Sequence, residues 1–155
     1  MTEATSRPRA LITGASGGIG ETFARRLAKR GHDLVLVARR RDRLEKLAAE
    51  LSEAHGVDAE VVEADLADDS AVATVEERLR RGDIDMLVNN AAVQVSRPIL
   101  ETSLEDWERV FQVNLRAAFD LTCKVFPLLK ASRGAIVNIS SVHGLATSKN
   151  IAVYA

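Results

Sequence analysis

The stretch "LITGASGGIGETFARRLAKRG", Leu11 to Gly31, sets an apolar run, a glycine-rich turn and an amphipathic helical segment in direct succession. A strand that ends in Thr13 must reverse at Gly14, and from Gly18 onward the apolar residues recur at helical spacing. A strand–turn–helix unit of this kind is the first half of a β-α-β crossover, so it implies parallel strands further along the chain.

The rest of the sequence supplies them. "RALIT" (Arg9 to Thr13), "DLVLVA" (Asp33 to Ala38), "AEVVEA" (Ala59 to Ala64), "IDMLVNN" (Ile84 to Asn90) and "GAIVNIS" (Gly134 to Ser140) read as strands, with helices expected near 18–30, 40–55, 69–81 and 103–129. The strands are apolar on both faces, as a parallel sheet covered by helices on both sides requires. The pattern predicts an α/β fold, a doubly wound parallel sheet of Rossmann type. Gly31, Gly56 and Gly82 stand where helices should stop on a residue of positive φ. Thr102 or Ser103, answered by Glu105 or Asp106, forms a capping box for the long fourth helix. Trp107, Phe111 and Phe119 on that helix read as core and interface packing, and so does the single cysteine, Cys123. No repeat or linker interrupts the pattern, so residues 1–155 read as one domain.

The charges nearly cancel, 21 Lys+Arg against 22 Asp+Glu, which offers no overall field for nucleic acid or an anionic membrane. One cysteine excludes an intrachain disulfide. The opening "MTEATSRPR" lacks the apolar core of a signal peptide, and no apolar run reaches the roughly 18 residues that span a bilayer. A cytoplasmic protein is expected, with neither nucleic acid nor membrane as partner and no metal site.

The glycine-rich turn carries the first functional expectation. Gly14 allows the tight turn, Gly18 lets a pyrophosphate approach the backbone, and Gly20 lets the helix pack closely. Free N–H groups and the helix dipole then attract phosphate. Ser16 and Ile19 belong to the same loop. At the end of the second strand, where an acidic residue would hold a ribose 2′-OH, stands Ala38, followed by Arg39. A guanidinium chelates a 2′-phosphate, so NADP is expected in preference to NAD. Arg41, and with it Arg40, reads as the solvated start of a helix.

Taken together these residues resemble the short-chain dehydrogenase/reductase family, in its small single-domain branch, from "LITGASGGIG" to the last residue. Thr13, Gly14, Gly18 and Gly20 match its T-G-x-x-x-G-x-G. Asp65, followed by Leu66, is similar to its adenine-contacting aspartate, although Asp65 also suits the cap of the next helix. "NNAA", Asn89 to Ala92, resembles its N-N-A-G, with Ala92 in place of glycine; Asn89 then carries the side-chain role and Ala91 the backbone approach. Asn114 in "EDWERVFQVNL" matches an asparagine whose carbonyl group anchors a water and the catalytic lysine. Asn is a poor helix former, so its presence in a helix interior calls for such a reason.

"IVNISSVHG" resembles the strand that delivers the catalytic serine. Ser141 lies thirteen positions before Tyr154 and shortly before Gly144, as the family's serine does. Ser140 is expected to turn inward or cap the strand, and His143 to be incidental. The resemblance implies that Tyr154 is the proton donor for reducing a small-molecule carbonyl, or the base for oxidising an alcohol, with Ser141 on the substrate oxygen. A free phenol has a pKa of about 10, and a neighbouring ammonium lowers it. In the family that ammonium belongs to a lysine four residues after the tyrosine, but here only Ala155 follows Tyr154, and Lys149 is no match. The sequence thus reads as an N-terminal part, truncated after the fifth strand. Little or no reductase activity is expected of it alone, and the complete protein is expected to be a homo-oligomer. Two other readings are a non-catalytic NADP-binding module and a nucleotide-sugar epimerase, though "TGASGGIG" does not fit the epimerase glycine pattern.

Overall fold

The computed structural model describes residues 7–154; expectations placed on residues 1–6 and on Ala155 lie outside them. Five parallel strands, β1 (Arg9–Thr13), β2 (Asp33–Ala38), β3 (Ala59–Glu63), β4 (Met86–Asn89) and β5 (Ala135–Asn138), form one sheet in the order β3-β2-β1-β4-β5. The helices are α1 (Gly18–Lys29), α2 (Arg41–His55), α3 (Asp69–Leu79), α4 (Leu104–Phe111) and α5 (Ala117–Ser132).

Alternate residues of each central strand supply two cores. Ala10, Ile12, Leu34 and Leu36 pack with Ala24 and Leu27 of α1 and Leu44, Leu47 and Leu51 of α2. Leu11, Val35, Val37 and Leu87 face the other way, onto Val72, Val75 and Leu79 of α3 and Leu121, Val125 and Leu129 of α5. Fully burying one such aliphatic side chain contributes about 1.5–3 kcal/mol, so the apolar runs commit the sheet to helices on both faces. No helix among the described residues is long and apolar enough to cross a membrane.

The ends of the elements follow their local chemistry. Gly31, Gly56 and Gly82 take φ of 81°, 63° and 78°. Ser103 Oγ accepts from Asp106 N at 3.0 Å while Asp106 returns a bond to the Ser103 N–H, which completes the capping box. The cap of α3 is Asp68, whose Oδ1 accepts from Ser70 N at 2.8 Å, so Asp65 is released from that duty.

The long fourth helix departs from its expected form. α4 passes into a π turn, Gln112–Arg116, before α5 begins, and α5 continues to Ser132. Periodicity alone does not register one extra residue in a turn. The aromatic residues on this path are less buried than expected: Trp107 stacks on Phe111 with ring centroids 4.2 Å apart, and both are exposed, as is Phe119. Cys123 is exposed as well and packs in neither core.

At the amino ends of the strands, opposite the glycine-rich turn, lies a charged seam. Arg9 pairs with Asp58 at 2.8 Å and Asp83 at 2.5 Å. Arg78 is buried, with its Nε 2.6 Å from Glu60 and its Nη1 2.7 Å from Asp83. These bonds raise the Arg78 guanidinium above its ordinary range despite the opposing effect of burial, and the Arg78 bond holds the Asp83 carboxyl below its own. The seam fixes the base of the sheet and leaves the carboxyl ends of the strands for the site.

Candidate active site

Chain order reverses between β1 and β4, and a crevice opens there beyond the carboxyl ends of the strands. The ladder between these strands has three rungs, Ala10–Met86, Leu11–Leu87 and Ile12–Val88. Beyond them the Thr13 hydroxyl takes over. Its oxygen accepts from Asn90 N at 2.9 Å and Ala91 N at 3.0 Å and donates to Val88 O at 3.3 Å. Thr13 is buried, and its side chain is spent on joining the two strands.

Asn90 completes the join. Its Nδ2 donates to Thr13 O at 2.9 Å and Gly14 O at 3.3 Å, pinning the glycine-rich turn to the end of β4. The sequence motif had pointed to Asn89, which instead donates to Thr122 Oγ1 at 3.2 Å and Asn138 Oδ1 at 2.9 Å, between α5 and β5. Two adjacent asparagines on a strand end point opposite ways, and the one toward β1 meets the turn. Gly14 has φ 67°. A Cβ on Gly20 would stand 2.4 Å from Gly14 O and 2.5 Å from Asn90 Nδ2, so Gly20 is needed for the approach of α1 to the turn itself. Gly18 has φ 59° and open space where a side chain would be. No side chain caps α1, so its first turn has N–H groups that no capping side chain satisfies.

The crevice has two connected parts that share Leu66, Ala91, Ala92 and Val113. The first, about 310 Å³, is lined by Gly14, Ser16 and Ile19 of the turn, by Arg39 and Arg40 after β2, and by Asp65 after β3. The second, about 490 Å³, is lined by Thr13, Asn89, Asn114, Ser141 and Tyr154, with Leu115 and Phe119 on its apolar side. Of the residues expected from sequence, all but Gly18 and Gly20 line one part or the other.

The charged residues of the first part are arranged unevenly. Asp65 Oδ1 accepts from Ala67 N at 3.1 Å, and its Oδ2 lies 3.9 Å from Arg39 Nη1 and 3.6 Å from Arg109 Nη2. Arg40 turns back over the glycine-rich loop: its Nη2 donates to Ser16 Oγ at 3.0 Å and Ser16 O at 3.2 Å, and its Nε to Ser16 Oγ at 3.3 Å. It is therefore not a free helix-start side chain. The helical pattern of "RRRDRL" could not show this, since the contact spans two loops.

In the second part, Asn114 sits in the π turn, a distortion that frequently marks functional sites. Its Oδ1 accepts from Val93 N at 2.8 Å and its Nδ2 donates to Val93 O at 2.9 Å, fixing the loop segment that follows "NNAA". Ser141 Oγ accepts from His143 N at 3.2 Å at the start of a short 3₁₀ turn. The His143 ring meets Tyr154 edge to face with centroids 6.0 Å apart, so His143 packs on the tyrosine. Ser140 is exposed and lines the same part as Ser141; it neither turns inward nor caps β5. No cluster of three or more potential metal ligands occurs among the described residues.

The model of a family described as "short chain dehydrogenase" matches residues 8–155. Among curated proteins, the serine 3-dehydrogenase of Agrobacterium fabrum is 39% identical over 134 residues, covering 85% of this chain and 53% of that protein. Among solved structures, the bulky-bulky ketone specific alcohol dehydrogenase of Comamonas testosteroni superposes with a TM-score of 0.91 at 40% identity, over 97% of this chain and 61% of that one. A short-chain dehydrogenase from Sphingobium yanoikuyae in complex with NADPH gives a TM-score of 0.90 at 46% identity, over 95% of this chain and 59% of that one. The chain therefore spans roughly half to three fifths of the length of these relatives.

Proposed function

The chain belongs to the short-chain dehydrogenase family, and on that premise we propose that it forms the cofactor-binding and proton-transfer part of an NADP-dependent oxidoreductase acting on a small carbonyl or alcohol compound. The observation that carries the proposal is the crevice itself. It joins a phosphate-binding turn with cationic surroundings to a pocket that holds Asn114, Ser141 and Tyr154.

The residues present suit a dinucleotide. Gly18 offers backbone in the left-handed region with nothing above it, the start of α1 offers N–H groups, and Asp65 is balanced by two arginines so that it does not repel phosphate. Gly14, Ser16, Gly18 and Ile19 would hold the pyrophosphate; Leu66 and Ala91 would flank the adenosine; and the arginines after β2 would meet a 2′-phosphate. The relative from Sphingobium yanoikuyae was solved with NADPH, which supports the same cofactor here. When bound, NADPH supplies the hydride.

The chain's own contribution is orientation and the proton. Ser141 donates its hydroxyl proton as a hydrogen bond to the substrate oxygen, and Tyr154 gives that oxygen a proton in reduction or withdraws it in oxidation. Asn114 holds Val93 and with it the wall the two parts share. Thermal unfolding with and without NADPH tests the cofactor reading. At a hundredfold excess over Kd a binder gains about 2.7 kcal/mol, and a transition that does not move with NADPH counts against the proposal.

A further inference from the structure

Charge is divided unequally along the chain, and so across the fold. From Gly18 to His55, the stretch that supplies α1 and α2, nine Arg or Lys stand against six Asp or Glu. From Gly56 to Asp120, which supplies α3 and α4, six stand against fifteen. Because α1 and α2 cover one face of the sheet and α3 the other, a chain of net charge −1 has a positive and a negative side. The positive side is furrowed. A hollow of about 240 Å³ between α1 and α2 is lined by Arg43 and Lys46 and by Ser16, which also lines the first part of the crevice. Through Arg25 and Glu50 the hollow runs on into a groove edged by Arg26 and Lys29 in the last turn of α1. One furrow therefore leads along the two helices to the glycine-rich turn.

The carboxylates of the furrow are spent within it: Arg25 Nη2 lies 2.8 Å from Glu21 Oε1 and 2.9 Å from Glu50 Oε2. Arg26, Lys29, Arg43 and Lys46 are exposed and have no carboxylate within 4.0 Å among the described residues. Helix stability accounts for only half of these four. Arg26 and Lys29 stand at the carboxyl end of α1, where cations complement the helix dipole. Arg43 stands in the first turn of α2, where the dipole disfavours a cation, and Lys46 follows three residues on, close enough for the like charges to repel. Arg41 at the same helix end is offset by Glu45, 2.7 Å away, and Arg43 and Lys46 have no such offset.

We propose that the furrow is an electrostatic approach path that steers the polyanionic dinucleotide into the crevice, with Arg43 and Lys46 acting on the encounter and not on the bound complex. The inference rests on the cofactor reading above and concerns how the ligand arrives, a separate matter from what holds it. NADPH carries three negatively charged phosphates, so the acidic side of the molecule repels it while the furrow draws it in. Unpaired cations along a groove that opens beside the binding turn raise the local concentration of such a ligand and its rate of association. Neither Arg43 nor Lys46 lines the crevice, so neither is placed to hold the cofactor once it is seated.

Stopped-flow mixing of the 155-residue chain with NADPH, followed by the fluorescence of the nucleotide, separates arrival from retention. At about 0.01 M ionic strength, where the screening length is about 30 Å, Arg43→Gln/Lys46→Gln is expected to slow association about three- to tenfold. Its dissociation rate should stay within about twofold of wild type, as for charges outside the contact. At about 1 M salt, where the screening length is about 3 Å, the two chains should associate equally fast. Lys124→Gln/Lys130→Gln removes the same net charge from exposed positions on α5, across the sheet, and should leave association within about twofold. Circular dichroism checks that each variant folds, which the loss of a cation from the first turn of α2 should favour. Unchanged association in Arg43→Gln/Lys46→Gln, equal slowing by the α5 pair, or an affinity loss carried by faster dissociation overturns the proposal. Wild-type chain that gives no fluorescence change with NADPH refutes the cofactor reading instead, and the path with it.

Discussion

Substituting Gly20 by alanine tests the closest packing in the crevice. The added Cβ would stand 2.4 Å from Gly14 O, 2.5 Å from Asn90 Nδ2 and 2.9 Å from Gly14 C. An ordinary carbon–oxygen contact lies beyond about 3.3 Å, so α1 and the turn must part by roughly 1 Å. Gly14 cannot yield cheaply, because Asn90 pins its carbonyl and Thr13 anchors the residues opposite. Overpacking of this kind costs about 1–3 kcal/mol, whereas alanine returns up to about 1 kcal/mol of helix propensity, less in a first turn. The net expectation is a loss of about 1–2 kcal/mol, measured by urea unfolding of the chain, which for a domain of this size lowers Tm by about 2–8 °C. The same displacement moves the N–H groups proposed to hold the pyrophosphate, so NADPH affinity should fall at least about tenfold, since ligand and loop lose their fit. Asn90→Ala added to Gly20→Ala should not restore stability, because the nearer obstacle is the Gly14 backbone. A Gly20→Ala chain with unchanged midpoint and unchanged affinity would refute the account of the turn; recovery in the double variant would place the obstacle in Asn90 alone.

Two further outcomes concern stability. Asp83 is held below the ordinary carboxylate range, first by its bond to Arg78. Its contribution is therefore present above the unfolded value of about 4 and disappears as pH falls through the lower native value. Unfolding midpoints measured from pH 7 down to pH 2 should show that limb reduced in Asp83→Asn, and not abolished, since Asp68 is shifted the same way by Ser70. Ser103→Ala removes the side-chain half of the α4 capping box and should cost about 1 kcal/mol in urea unfolding; a loss below about 0.3 kcal/mol would mean that the stacked aromatic pair, and not the cap, starts the helix.

The parts of this fold legible in the sequence are those that depend on local pattern. Alternating β-α segments, glycines at positive φ and the Ser103–Asp106 pair are written in runs of a few residues, and the structure bears them out. Likewise most of the motif residues from Thr13 to Tyr154 line one crevice, because most follow the carboxyl ends of strands, while Asn114 reaches it from the π turn between α4 and α5. What the pattern conceals is partnership across the fold. Arg40 reads as a solvated helix residue until the loop carrying Ser16 is folded beside it. Asn90 hides beside Asn89 because nothing in "NNAA" says which amide faces β1. Gly134 is of the same kind: a Cβ there would lie 2.1 Å from Asp85 O, a contact between segments far apart in sequence. Cys123 reads as core because free cysteines are usually buried, yet α5 turns that position outward.

The seam between β1 and β4 has one more consequence. Its backbone ladder stops at Ile12–Val88, and past that point a single side-chain oxygen serves two amides that the parting strands leave behind. The width of the crevice is thus gauged by Thr13. Serine would keep the gauge, whereas valine, of nearly the same shape, would leave both N–H groups without an acceptor and release the two halves of the sheet to find their own separation.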